Sequence, residues 1–278
     1  MKISVATTYT NPEKRGDPWK EALSCYEDFA DEIVVTGSDW PHNFSWELIG
    51  ETFNRGFEEA SGDWVIRMDI DYFIHEKQIN KLKKSLIKYS HYPAICFPQY
   101  QFFIPSRFQL KTRLCIALNK KEFPNIKLNG GGDMCLATLN STLIRPEDVP
   151  NVNIPIYQYD SMFRTKKLIA LDRSRFASAW FKYFGEYGDR GGSNPDIAYE
   201  YWYNNIMKKF SFHTNKINID NHPKYIKEKL KNLSKDQFGY DGFGLNVASK
   251  KNYKNFIVGK KDIYGGASLN NLNRLLDF

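Results

Sequence analysis

Apolar and polar residues alternate over the first 75 positions in a pattern that predicts three strands and two helices. Three short, β-branched apolar segments each end in polar or turn residues, as buried strands do: ISVATTY, EIVVTGSD and WVIRMD. The segments between them carry apolar residues at helical spacing, in the second case Trp46, Ile49, Phe53, Phe57 and Ala60. This order predicts an α/β fold with a mostly parallel sheet and helices on both faces.

The first helix is expected to begin at GDPW, with Asp17 as its N-cap and Pro18 at its first helical position. Four later elements are expected: a basic exposed helix in 75–89, a strand in 94–103, a glycine turn and strand in 130–144, and a mostly helical region in 159–188. The composition turns to Lys and Asn near 210. The sequence therefore predicts one α/β domain over 1–210 and a small basic extension over 211–278.

Each predicted strand ends in polar residues, namely TTYTN, then GSD, then Asp69 and Asp71. Ligands of parallel α/β sheets bind beyond the carboxyl ends of the strands, so the three tips are expected to meet at one site. Carboxylates at positions i and i+2 can both reach one divalent cation, and Mg²⁺ or Mn²⁺ prefers oxygen ligands. Such a cation neutralises a nucleoside diphosphate, which is the chemistry that Asp69 and Asp71 are able to supply.

Residues 1–75 resemble the nucleotide-binding half of GT-A glycosyltransferases of the family 2 type, and the resemblance thins out after residue 110. It rests on five short segments: Thr7-Thr8-Tyr9, Gly37-Ser38-Asp39, Asn54-Arg55-Gly56, Ala60-Ser61-Gly62, and the DxD motif Asp69-Ile70-Asp71. The chain departs from the family at Arg55-Gly56, which closes up the usual N-x-G spacing.

The resemblance implies metal-dependent, inverting transfer of a sugar from a nucleotide sugar, with a UDP-sugar as the expected donor, to an acceptor hydroxyl. It implies that the nucleotide sugar is bound by Thr7, Thr8, Tyr9, Asp39 and Asn54. Asp69 would lie near the ribose or the sugar, and Asp69 and Asp71 would hold Mn²⁺ or Mg²⁺. Arg67 would contact phosphate or pair with an aspartate. Simple packing of Tyr9 and a structural ion pair of Arg67 are equally open alternatives.

Inverting transfer needs a general base for the acceptor hydroxyl, usually a carboxylate. By the resemblance this acid lies about a hundred residues after the DxD motif, where YQYDSMF offers Asp160. The alternative is that Asp160 is only the N-cap of the following helix. Asp133, in a glycine-rich loop, is the reserve candidate. A late histidine often completes the metal site of GT-A enzymes, and His213 and His222 are the candidates here.

The acceptor is the least constrained part of the prediction. Residues 201–278 hold 14 Lys and Arg against 6 Asp and Glu, with aromatic residues between them, whereas the whole chain has a net charge of +7. A solvated basic surface explains this, and so does an anionic partner. A glycan acceptor is slightly favoured. The alternatives are a hydroxymethylated pyrimidine in DNA, as in phage-type DNA modification, and a non-catalytic nucleic-acid-binding protein.

Cellular location is constrained by cysteine usage and hydropathy. Cys25, Cys96, Cys115 and Cys135 are scattered and form no CxxC pair, which favours reduced, mostly buried thiols. No apolar run approaches the ~20 residues of a membrane span. The segment MKISVATTYTN reads as a first strand rather than a secretory signal. We therefore expect a cytoplasmic protein without a membrane segment.

Overall fold

A computed structural model describes residues 1–38, 40–41, 43–130, 135–210 and 214–244, with only the backbone of residue 209. The strands are β1 Ile3–Thr8, β2 Glu32–Thr36, β3 Trp64–Asp69, β4 Tyr72–Ile74, β5 Ala94–Ile104, β6 Arg107–Asn119, β7 Ile126–Asn129, β8 Leu136–Leu139, β9 Thr142–Leu143, β10 Ile156–Gln158 and β11 Asn215–Lys216. The helices are α1 Pro12–Arg15, α2 Trp19–Glu27, α3 Trp46–Glu59, α4 Ile79–Lys88, α5 Lys166–Phe184, α6 Pro195–Phe210, α7 Lys227–Lys231 and α8 Phe238–Asp241. Short 3₁₀ turns lie at Glu76–Gln78, Gly188–Arg190 and Ile219–Asn221.

The main sheet has the strand order β2-β1-β3-β6-β5-β10-β4, and β11 pairs with β6. Its first part is Rossmann-like, because β1 pairs in parallel with both β2 and β3. The second part is mixed: β6 runs antiparallel to β3 and β5, β10 is parallel to β5, and β4 is antiparallel to β10. A separate antiparallel sheet contains β7, β8 and β9. The predicted α/β fold class is confirmed, and the antiparallel strands are concentrated after β3.

Both faces of the sheet are covered, as the sequence predicts. Side chains of a strand alternate between faces. Trp64, Ile66 and Met68 of β3 therefore pack in the core cluster that contains α2 and α4, whereas Val65 faces the cluster built around α3. The predicted apolar face of α3 is buried, with Trp46, Ile49, Phe53 and Phe57 each at most 4% exposed.

The starts of the first two long helices differ in how they are capped. Ser45 precedes α3 and accepts a hydrogen bond from the backbone of Leu48 at 3.3 Å, which is ordinary N-capping. The prediction that Asp17 caps α2 is wrong. The N-cap of α2 is Pro18, without a side-chain hydrogen bond, and Asp17 instead forms ion pairs with two arginines described below.

Residues after the predicted boundary at 210 pack against residues before it. Ile226 and Leu230 are buried in the main core cluster, and β11 extends the main sheet. Phe238 and Phe243 pack in a third cluster with Phe103 of β5. Residues 214–244 are therefore part of the α/β domain, because they supply side chains to its interior. The rest of the predicted extension, 245–278, lies outside the described residues.

Two sequence expectations concern cysteines and membranes. Cys25, Cys96 and Cys135 are buried, Cys115 is half-buried, and all four are free thiols. In the described part of the chain, every helix is too short or too polar to serve as a membrane span.

Candidate functional site

The carboxyl ends of the three parallel strands lie side by side. In the sheet register Thr8, the last residue of β1, stands between Thr36 of β2 and Asp69 of β3. The backbone of Tyr9 donates to the carbonyl of Thr36 at 3.2 Å, which joins the first two tips. Gly37 has φ of +86°, and a Cβ there would lie 2.5 Å from Thr8 Oγ1. Only glycine fits this close approach, so the sequence GSD suits its position at the tip of β2.

The acidic turn between β3 and β4 is fixed from two directions. The Tyr26 hydroxyl, buried on α2, lies within hydrogen-bond distance of the carbonyls of Asp69, at 2.8 Å, and Tyr72, at 3.1 Å. On the other side the backbone of Tyr159 donates to the carbonyl of Asp71 at 3.1 Å. Because Asp160 follows Tyr159 directly, this contact places the predicted base beside the DxD motif. The predicted metal ligands and the predicted general base therefore lie beside each other.

Asp69 is paired with Arg67 from its own strand. Arg67 Nη1 lies 2.9 Å from Asp69 Oδ1, and the arginine side chain is 1% exposed. The guanidinium packs 5.1 Å from the centre of the Phe53 ring and 5.9 Å from that of Tyr72. Burial works against the charge of Arg67, but Asp69, Cys135 and Tyr72 together outweigh it and raise the arginine pKa. Of the two roles left open for Arg67, the ion pair is present.

Asp71 has weaker compensation, through the charges of Arg164 and Lys111 rather than through an ion pair. Within the described residues it has no ion-pair partner. Burial, followed by the charges of Asp69 and Asp160, raises its pKa from 3.8 to about 7. Its side chain is partly open to solvent, so it is accessible to a ligand. A carboxylate in this position favours an added cation, because a positive charge relieves the repulsion from its two neighbours.

Asp160 is held as an ionised carboxylate. Its Oδ1 accepts hydrogen bonds from Ser161 Oγ at 2.8 Å and Arg173 Nη2 at 2.9 Å, and its Oδ2 accepts one from Gln101 Nε2 at 3.2 Å. Burial opposes ionisation, but the charges of Arg173, Lys111 and Arg164 and the hydrogen bond from Ser161 together outweigh it, so the pKa lies below its ordinary value. The alternative that Asp160 caps α5 is wrong, because Thr165 is the N-cap of that helix.

Cations that the sequence did not point to surround these carboxylates. Lys111 of β6, Arg164 and Arg173 all act on the charge of Asp160. They come from segments far from the DxD motif in sequence. Arg173 lies within the helical pattern of 159–188, where a basic residue is typical of a solvated face. No local signal identified them.

A closed ring of ion pairs borders the site on one side. Asp17 binds Arg15 Nε at 2.9 Å and also the guanidinium of Arg164. Asp172 binds Arg15 Nη1 and Arg164 Nη1, each at 2.9 Å. The ring joins the segment that follows β1 to the first turns of α5. It therefore fixes the distance between the tip of β1 and the helix that carries Arg173.

The remaining residues predicted to bind the nucleotide differ in burial and in their contacts. Thr7 is fully buried, whereas Thr8 and Tyr9 are partly exposed at the tip of β1. The Tyr9 ring packs against Trp19 with 5.9 Å between ring centres, which is the packing role left open for it. Asn54 is used by the fold: its amide donates to the carbonyl of Leu128 at 2.7 Å, and its oxygen accepts from the Leu128 backbone N–H at 2.8 Å. This pairing ties α3 to β7 and does not support nucleotide binding.

His222 is a core residue and not a free metal ligand. Its Nδ1 lies 2.8 Å from the Tyr159 hydroxyl and its Nε2 lies 2.8 Å from the Pro105 carbonyl, so both ring nitrogens are engaged. Burial lowers its pKa to about 4, which keeps the ring neutral. The predicted residues Asp39, Asp133 and His213 lie outside the described residues.

Asp69 and Asp71 fit a divalent cation only together with a substrate. Across the described ranges, no group of three or more His, Cys, Asp or Glu side chains could hold a metal ion. Mg²⁺ in nucleotide sites is typically bound by one or two carboxylates, waters and the substrate phosphates. Two carboxylates, of which Asp71 forms no ion pair among the described residues, match that donor set. The residues present therefore fit a metal that arrives with a diphosphate.

Comparisons with known proteins give a distant structural likeness. No protein-family model matches the chain, and no curated protein matches it. Among solved structures, S. aureus TarS residues 1–349 align with a TM-score of 0.37 and 11% identity, over 66% of this chain and 72% of that one. The same TarS region in complex with UDP-GlcNAc aligns with a TM-score of 0.35 and 11% identity, over 84% of this chain and 79% of that one. The complex of this region with UDP aligns with a TM-score of 0.35 and 12% identity, over 66% of this chain and 72% of that one. Likeness at this level assigns no function to this chain.

Proposed function

We propose that this protein is a glycosyltransferase that moves a sugar from a nucleoside diphosphate sugar to an acceptor hydroxyl. The observation that carries the proposal is the Asp71 carboxylate, which forms no ion pair among the described residues and has a raised pKa. It stands where three parallel strands end and beside the held carboxylate of Asp160. A solvated turn does not need two carboxylates in a partly buried position, whereas a diphosphate with its cation does.

The residues divide into a donor side and an acceptor side. On the donor side, Thr8 and Tyr9 border the nucleotide, and Asp69 and Asp71 would hold Mn²⁺ or Mg²⁺ together with the diphosphate. When bound, the metal supplies positive charge that stabilises the leaving nucleoside diphosphate. Arg67 keeps Asp69 oriented through its buried ion pair. This arrangement supports metal and nucleotide binding as one event.

On the acceptor side, Asp160 accepts the proton of the attacking hydroxyl. Gln101, Ser161 and Arg173 hold its two oxygens, so the orientation of the carboxylate is set before the acceptor arrives. The lowered pKa keeps Asp160 ionised at neutral pH, which is the state a base requires, although it also limits the proton affinity. Attack on the face opposite the leaving group gives inversion of the anomeric carbon.

Calorimetry with nucleoside diphosphates tests the donor side. UDP, GDP, CDP, ADP and dTDP are titrated into the metal-free protein, with and without Mn²⁺. We expect one base to bind, only with the metal, and Mn²⁺ alone to bind weakly. Asp71→Asn should abolish the metal-dependent binding, whereas Asp189→Asn, which alters a surface side chain that is 69% exposed, should not. Equal binding by the Asp71 variant and the wild type would refute the proposed metal role.

Transfer is then tested with the sugar nucleotides of the base that binds. Mn²⁺-dependent release of the nucleoside diphosphate measures donor cleavage, and candidate acceptors are added in turn. We propose a glycan as the acceptor. Duplex DNA that contains 5-hydroxymethylcytosine is tested as the second acceptor, because the described residues do not favour it over a glycan. If no sugar nucleotide is cleaved with or without an acceptor, the assignment as a glycosyltransferase fails.

A further inference from the structure

A β-bulge in the long hairpin of β5 and β6 introduces a lysine beside the acidic turn. In the register Gln101 stands opposite Gln109 and Tyr100 opposite Leu110, but Gln99 stands opposite Thr112. Lys111 is thus the extra residue of the bulge. Bulges disrupt a ladder locally, occur often next to active sites and redirect a side chain there. The strand is irregular at the position that brings a cation to this site.

The bulge lies on the part of the hairpin that touches Asp160. Gln109 Nε2 donates to Gln101 Oε1 at 2.6 Å, and Gln101 Nε2 donates to Asp160 Oδ2 at 3.2 Å. Lys111 follows Gln109 by two residues and is half-buried. Burial lowers the pKa of its ammonium group, and the charges of Asp160, Asp71 and Asp69 act in the opposite direction. The lysine therefore lies near enough to the predicted base and the DxD motif for their charges to act on it.

The charges of the described site balance before a diphosphate enters, so the negative charge that a diphosphate adds calls for a cation able to turn toward it. In the described part of the site, five carboxylates stand with five cations: Asp17, Asp69, Asp71, Asp160 and Asp172, with Arg15, Arg67, Lys111, Arg164 and Arg173. The four arginines each bind a carboxylate through a geometrically fixed guanidinium. Lys111 carries a compact charge on a flexible stem, which suits a group that turns from a carboxylate to a phosphate.

We propose that Lys111 binds the diphosphate of the sugar nucleotide and stabilises the charge that develops on it during transfer. The inference rests on the proposed function. In the step, the bond between the anomeric carbon and the β-phosphate oxygen breaks, and its electron pair stays on that oxygen. The acceptor oxygen forms the new bond to carbon, and its proton passes to the Asp160 carboxylate. Lys111 is placed to offset the negative charge on the leaving phosphate.

The alternative is that Lys111 only balances the neighbouring carboxylates. The two roles predict opposite effects of removing the ammonium group. A diphosphate-binding lysine is needed for nucleoside diphosphates and much less for monophosphates. A merely balancing lysine opposes the metal, so its removal would strengthen Mn²⁺ binding and leave the diphosphate preference unchanged.

Calorimetry with Lys111→Gln separates these roles, using the diphosphate, monophosphate and nucleoside of the base that the wild type binds, all with Mn²⁺. We expect the diphosphate affinity to fall about 10- to 100-fold, as for loss of one charged hydrogen bond, and the monophosphate affinity to fall less than about 3-fold. Lys111→Arg should restore part of the diphosphate preference. Lys127→Gln, an exposed lysine on β7, is the matched control and should change neither affinity.

Two outcomes overturn the inference. If Lys111→Gln retains the diphosphate preference and binds Mn²⁺ more tightly, the lysine is a balancing charge and the proposed function still stands. If the wild type binds none of the five diphosphates, the proposed function fails and the role of Lys111 fails with it. Thermal melts of both Lys111 variants accompany the titrations. Should Lys111→Gln prove unfolded, Lys111→Arg and Lys111→Met carry the same comparison.

Discussion

Replacing Asp71 by Asn is expected to stabilise the metal-free protein at neutral and alkaline pH while it abolishes nucleotide binding. The carboxylate stands beside Asp69 and Asp160, and these neighbours and burial raise its pKa from 3.8 to about 7. An amide has nearly the same shape and no charge. The substitution therefore removes a repulsion that the folded protein contains and the unfolded chain does not.

The size of the effect follows from the shift of the Asp71 pKa. About three pKa units at about 1.4 kcal/mol each give an upper limit of roughly 4 kcal/mol. The side chain is partly exposed and its neighbours can relax, so we expect about 1–3 kcal/mol. At roughly 2–4 °C per kcal/mol for a domain of this size, the melting temperature should rise by about 2–12 °C.

The pH dependence has a definite sign. The folded-state pKa of Asp71 is raised, so between pH 3.8 and about 7 the folded protein holds a proton that the unfolded chain has released. The stability attributable to this group is therefore complete below pH 3.8 and is lost as the pH rises through about 7. Asp71→Asn should match the wild type near pH 4 and exceed it increasingly up to pH 8.

Denaturation of EDTA-treated protein at pH 5, 6, 7 and 8 measures this difference, with Asp189→Asn as the control on the surface. The free energy of unfolding is compared at each pH, and Mn²⁺ with the bound nucleoside diphosphate is added in a second series. Wild-type protein should gain stability from the ligands, and the variant should not. A variant that is less stable than the wild type at pH 8 would refute the argument, because it would mean that the Asp71 carboxylate is satisfied within the fold.

Three further variants test the other contacts. Asp160→Asn should leave binding of the diphosphate with Mn²⁺ unchanged and slow transfer by about 10²–10⁴, the usual contribution of a general base; unchanged turnover would remove Asp160 from the mechanism. Asp17→Asn should destabilise the protein by about 2–3 kcal/mol in urea denaturation, since it leaves Arg15 and Arg164 facing an amide. An unchanged free energy of unfolding would show that the ring of ion pairs adds no stability. Asn54→Ala should lower the free energy of unfolding by about 1–3 kcal/mol, because two hydrogen bonds to Leu128 are lost, and should leave the nucleotide affinity unchanged. A weaker nucleotide affinity with unchanged stability would instead place Asn54 in the nucleotide site.

The parallel part of the fold was predictable because its signals are local. The alternation in WVIRMD and the helical spacing of Trp46, Ile49 and Phe53 each depend on a few neighbouring residues, and both agree with the observed faces. Strand β6 was missed. Its half-exposed pattern and the two-residue connection at Pro105 and Ser106 carry no glycine turn signal, and its pairing with β5 is decided by contacts across the sheet.

The candidate site was predictable only in its carboxylates. Asp69 and Asp71 were singled out because they follow one of three strands whose polar tips were expected to meet, and Asp160 because the resemblance gave an approximate distance along the chain. Arg173 and Lys111 reach the site through helix packing and a bulge, which no short pattern encodes. His222 was misassigned for a related reason: a late histidine is recognisable in sequence, but its bonds to Tyr159 and Pro105 form only in the folded core.

The distribution of ion pairs is the reason why we propose Asp71, rather than another acid, as the residue that meets the metal. Asp17, Asp69, Asp160 and Asp172 each have an arginine nitrogen 2.9 Å away. If the cluster were structural, the same pairing would be expected for the fifth carboxylate, because an uncompensated charge among like charges reduces stability. Asp71 instead retains a partly exposed carboxylate with a pKa of about 7. Natural proteins tolerate such a cost mainly where a ligand later offsets it, and a cation carried by a diphosphate is the ligand whose charge fits this position.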